Sequence, residues 1–145
     1  GFFKLGLYSE LARQDVIKAR ELIKKQDIKI SEHNIRSFRE IIFSEKSQEI
    51  NSLLSSPDFY SFSSCRDLCF HVKEHRFTIK QIQENLIANN LRFLGFLLPQ
   101  PIKSQYKDFY PEDNLQTNLQ NWANFEEDYP NTFRGLYQFW VSRVE

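Results

Sequence analysis

The chain has 145 residues, with 41% hydrophobic, 26% charged and 15% aromatic side chains, which suits one globular domain with a real core and excludes a disordered chain. Nineteen basic side chains balance nineteen acidic ones, and no basic stripe gives the footprint of a nucleic-acid or acidic-membrane partner. No apolar run approaches the ~20 residues that span a bilayer, no leader pattern opens the chain, and two cysteines four residues apart fit a reducing, cytoplasmic setting better than a disulfide framework.

In chain order, GFFKLGLY (1–8) is an apolar run that predicts a buried strand. It opens the sequence in mid-strand and without methionine, as expected of the C-terminal part of something longer. Ser9 reads as an N-cap, followed by Leu11, Val16, Ala19, Leu22 and Ile23 at helical spacing. Lys18, Arg20, Lys24 and Lys25 read as the solvated face of that helix. A second helix is predicted after Ser31, with Ile35, Phe38 and Ile42 on one face, then a short third over SQEINSLLSS and a turn opened by Ser56-Pro57.

Thr78 and Gln81 form a capping-box pattern ahead of a stripe of Ile79, Ile82, Leu86 and Ile87, and Asn89-Asn90 ends that helix. LRFLGFLL (91–98) predicts a central strand closed by Pro99 and Pro101. NLQTNLQNWANFEED predicts an amphipathic helix with Leu115, Leu119, Trp122 and Phe125 on one side, and the aromatic run LYQFWVSR predicts a last strand. Trp122, Trp140 and the phenylalanines are read as core, and Cys65 and Cys69 as small buried hydrophobes.

His71, Glu74 and His75 spell H-x-x-E-H, the inverted zinc-protease pattern. Zinc there needs both histidines on one continuous helix face, a third ligand and an open position. The Thr78 cap starts a new helix too soon for the first condition, and nothing in the spacing of Glu112, Glu126 or Glu127 recommends a third ligand. No metal site is expected. The plainer reading is that the histidines cap or pack a helix–loop junction, with Glu74 pairing with Arg76 or Arg66.

GFFKLGLYSELAR, TIKQIQENLIANNLRFLGFLL with its Gly95-Phe96 pair, and LYQFWVSR together resemble the late strands of a class I S-adenosylmethionine-dependent methyltransferase. More narrowly, SPDFYSFSSCRDLCFHVKEHRFT and NWANFEEDYPNTFRGLYQFWV are similar to the C-terminal region of bacterial methyltransferases found in chains with tetratricopeptide repeats. The resemblance spans nearly the whole chain. It implies an α/β, incomplete Rossmann-like sheet of three strands, ordered first, third, second, the last antiparallel, with helices on both faces. The chain would divide into a strand (1–8), a helical insertion or cap (9–77), a helix and strand (78–98), a helical connection (99–134) and a last strand (135–145).

The four glycines show no phosphate-cradle spacing, so S-adenosylmethionine is expected to bind mainly to an upstream half of the same chain. The resemblance implies that this part completes the sheet and supplies the methyl-acceptor side of the pocket. Tyr8, Ser9 and Glu10 would stand at the carboxyl end of the first strand, where open α/β sheets bind ligands. His71 and His75, or Glu10, would take the acceptor's proton; which histidine points inward stays open. Arg66 and Arg76 would suit an anionic substrate, completing a substrate-binding set with Tyr8 and Ser9. The acceptor would be a small molecule or a protein, and an unpaired first strand would lead to self-association. The competing expectation is a non-catalytic module whose helices dock a repeat array or a partner chain. The insertion itself is read as either a lid or a docking surface.

Overall fold

The computed structural model describes residues 1–44, 48–70 and 73–145, and for residues 48 and 49 the backbone alone. The chain folds as two compact units. One is assembled from residues 1–12 and 75–145, and the other is the continuous stretch Arg13–Glu74.

The first unit is built on a sheet. Its strands are β1 (Phe2–Ser9), β2 (Arg76–Phe77), β3 (Leu91–Phe96) and β4 (Tyr137–Arg143). Their order is β2-β1-β4-β3, with β4 antiparallel to both neighbours and β2 parallel to β1. The architecture is thus α/β with a mixed four-stranded sheet. The three-strand order expected from the sequence is corrected by β2, whose two residues reach the outer edge of β1 at Tyr8 and Ser9.

Three helices of this unit pack on one face: α5 (Ile79–Ala88), α6 (Gln100–Phe109) and α7 (Leu119–Asp128). Ile79, Ile82 and Leu86 of α5, Tyr106 of α6 and Leu119, Trp122 and Phe125 of α7 share a core with Phe93, Phe96, Tyr137, Phe139 and Val141. All three helices of this unit contribute to that one core. The opposite face carries Phe2, Lys4 and Gly6 across from Ser142, Trp140 and Gln138. Trp140 is therefore only half-buried, edge-on to Phe2 at 5.6 Å, rather than core.

Local chemistry sets these elements. Thr78 accepts from the Gln81 backbone N–H while Gln81 accepts from the Thr78 N–H, closing the capping box that starts α5. Ile87, placed on the apolar stripe by spacing, is exposed. A bulge between Phe93 and Gly95 shifts the β3 register, and Gly95 adopts φ +137°. The bulge turns Phe93 and Phe96 to the same face, with rings 4.8 Å apart. Helix α7 begins at Leu119, later than expected, because Asp113 takes the N–H groups of Thr117 and Asn118 and Asn118 caps the helix. Leu115 is left outside it, 80% exposed.

The second unit is helical: α1 (Gln14–Lys25), α2 (Glu32–Ser44), α3 (Gln48–Asn51) and α4 (Phe62–Phe70), with single 3-10 turns at Ser52–Ser55 and Pro57–Phe59. Val16, Ala19 and Ile23 of α1, Ile35, Phe38 and Ile42 of α2, Leu53, Phe59, and Cys65, Cys69 and Phe70 of α4 form its own core. Ser31 accepts from the Asn34 N–H at the start of α2, as its position predicts. Ser9 is not the cap of α1. It ends β1, and α1 starts five residues later after a turn. Among the described residues, no helix is long and apolar enough to cross a membrane.

Candidate functional site: a buried carboxyl at the end of strand β1

Helix α7 presents Leu119, Trp122 and Phe125 to the core, and Glu126 falls on the same buried stripe, 3% exposed. A carboxyl that must enter an apolar core needs hydrogen-bond donors there. Two strands supply them. Tyr137, the first residue of β4, donates its hydroxyl to Glu126 at 2.8 Å from Oε1 and 2.6 Å from Oε2. Ser9, the last residue of β1, donates its hydroxyl to Oε1. The Ala12 backbone N–H in turn donates to Ser9 Oγ at 3.0 Å, tying the turn after β1 into the set. Because β4 runs antiparallel to β1, the start of one lies beside the end of the other, Leu7 pairing with Tyr137.

No cation joins these three groups among the described residues. Burial holds the Glu126 carboxyl above the usual range, while the bonds from Ser9 and Tyr137 pull the other way. Burial first, and then the Glu126 charge, push the Tyr137 phenol well up. The set can hold one proton at Glu126, and it fixes Ser9 between two exposed residues, Tyr8 and Glu10.

Five of the residues singled out by sequence meet at this end of the sheet. Tyr8 pairs with Arg76 and Ser9 with Phe77, the Glu10 N–H donates to the Phe77 carbonyl at 3.0 Å, and His75 immediately precedes β2. His75 and Glu10 are exposed and Arg76 is half-buried. Ser9 is fully buried, with its hydroxyl bonded to Glu126. Arg66 belongs to the other unit, on α4, where its Nε sits 3.3 Å from Asp67 at the surface. His71 lies outside the described residues.

Glu74, the acidic member of H-x-x-E-H, is held by Arg13 and Arg20. Its two oxygens take Arg13 Nη2 at 2.6 Å and Arg20 Nη1 at 3.2 Å, with the Glu74 side chain 5% exposed. Arg20 also donates to the Leu68 carbonyl at 2.9 Å, so it is a structural anchor rather than part of a solvated face. Among the described residues, no three His, Cys, Asp or Glu side chains come together as a metal site. Cys65 and Cys69 are free, buried thiols. Their mutual hydrogen bond lowers the Cys65 pKa and raises that of Cys69.

Glu126 and Tyr137 were not singled out as site residues by sequence. The available signal was a glutamate on the buried stripe of an otherwise apolar helix face. Neither a scan of protein-family models nor a search of curated proteins finds a match to this chain.

Proposed function

We propose that these residues form the C-terminal part of a class I, Rossmann-like S-adenosylmethionine-dependent methyltransferase, completing its sheet and supplying the methyl-acceptor side of the pocket. The observation that carries this reading is β4 inserted antiparallel between β1 and β3, the arrangement that the sequence resemblance implies for the family's last strand. The acceptor side then lies at the carboxyl end of β1, with Tyr8, Glu10, His75 and Arg76 around it. Methyl transfer from a sulfonium is an in-line displacement, accelerated chiefly by holding acceptor and methyl close and aligned. His75, His71 or Glu10 takes the acceptor's proton, and Arg76 binds an anionic acceptor. Ser9, fixed by Glu126, sets the backbone that carries Tyr8 and Glu10.

The donor belongs to an upstream half of the same chain, whose nearest strand pairs with the outer edge of β1 over Phe2–Leu7. Calorimetric titration of S-adenosylmethionine and S-adenosylhomocysteine tests this. No binding is expected with this 145-residue chain, and micromolar binding with a longer form that carries the donor half. Tight binding to the 145 residues alone would move the donor site into them. Absence of binding by both forms would favour a non-catalytic docking module.

A further inference from the structure

Helices α6 and α7 end at the same place in the first unit, and each ends on an aromatic ring. Phe109 is the last residue of α6, and Tyr129 follows α7 directly. Their rings lie 5.9 Å apart, and both rest on Phe125, which is 2% exposed. Yet Phe109 is 54% and Tyr129 37% exposed, so two ring faces supported from below are offered to solvent. Exposed aromatic faces of this kind are available to a partner.

Charge identifies the occupant. Asp108, Glu112, Glu127 and Asp128 flank the two rings in the chain and are all exposed, and none of them joins an ion pair among the described residues. Helix carbonyl ends already carry partial negative charge, which disfavours acids in a last turn. Even so, the last turn of α7 holds Glu127 and Asp128 with no basic residue, and that of α6 holds Lys107 alone against Asp108. A sequence that sets acids against a helix dipole gives up local stability, and such departures collect where a molecule has something to bind. Aromatic faces attract cations through their quadrupole, and carboxylates at their rim add to that attraction.

We propose that the Phe109–Tyr129 surface docks a lysine- or arginine-rich segment of a partner protein, one cationic side chain lying over the rings and its neighbours meeting the four carboxylates. This role does not depend on the methyltransferase reading.

The test is titration of the 145-residue chain with a short peptide of alternating Lys, Arg and Gly, followed by backbone amide shifts. Shifts centred on Phe109 and Tyr129, weakened by salt and absent with a glutamate-rich peptide, are expected. Phe109→Leu keeps every charge and an apolar side chain while removing one ring of the pair, and it should weaken binding about tenfold. The Glu127→Gln/Asp128→Asn pair should weaken it by a similar factor while leaving the melting temperature unchanged or raised. Undiminished binding by Phe109→Leu would reduce the site to bulk electrostatics and overturn the proposal. So would shifts produced by choline but not by the peptide, which would assign the rings to a small quaternary cation. Absence of peptide binding would overturn it outright.

Discussion

Glu126 has no cationic partner among the described residues, and its burial couples its ionisation to folding. Burial raises its folded pKa above the value it has in the unfolded chain. Between those two values the native state keeps a proton that the unfolded state has released, so stability falls as pH rises through that window. Below the unfolded value the contribution is fully present. Glu126→Gln cannot titrate and should flatten this dependence, as read by denaturant unfolding from about pH 4 to pH 8. An unchanged slope would mean that Glu126 is ionised in both states. Ser9 is visible in the sequence as the residue at a strand's end, but its partner is not. Glu126 lies 117 positions away, and hydrogen bonds across such a separation leave no local pattern. The only trace is periodic: a glutamate adjoins Leu119, Trp122 and Phe125 on a stripe that should be apolar throughout.

At the scale of elements, chemistry confined to a few neighbouring residues was legible, and chemistry that depends on the rest of the molecule was not. Thr78 and Gln81 reveal the start of α5 because both partners lie within one turn. The delayed start of α7 depends instead on Asp113, whose carboxylate also accepts from the Tyr106 hydroxyl at 2.6 Å, and no spacing rule reports that bond. The β3 bulge belongs to the same class, since Gly95 reads only as a glycine inside a strand. A methyl group at Gly95 would meet nothing within 4 Å, so the obstacle there is the backbone and not the packing. With φ at +137°, Gly95→Ala should cost about 1–3 kcal/mol and lower the melting temperature. An alanine variant as stable as its parent would show that the bulge relaxes at no cost, and Phe93 and Phe96 would then need another reason to face the same way.

At the scale of the whole molecule, one long strand edge stays open among the described residues. The Glu10 N–H faces β2, and alternation along β1 turns the N–H and C=O groups of Phe2, Lys4 and Gly6 to the same side. No strand among the described residues pairs with that side over Phe2–Leu7, and Lys4 is the only charge there to discourage one. Proline at position 4 removes an N–H that points outward, whereas proline at position 5 breaks the ladder to β4. Lys4→Pro should therefore keep most of the stability and lower self-association in sedimentation velocity. Leu5→Pro should lose about 1–3 kcal/mol or more from the orphaned partner alone. Equal losses would mean that the edge groups are not oriented as alternation requires. The sequence announces this edge through FFKLGLY, but which residues face outward emerges only from the register.

The ion pair between Arg13 and Glu74 has a consequence of another kind. These are the first and last residues of the helical unit, joined at 2.6 Å, so the chain enters and leaves that unit at one doorway. A body whose two ends meet can be lost, enlarged or exchanged without redirecting the strands on either side, as when a domain is spliced into a turn. Arg13 and Glu74 mark the seam of a cassette, a place where chains of this design can diverge while the sheet stays as it is.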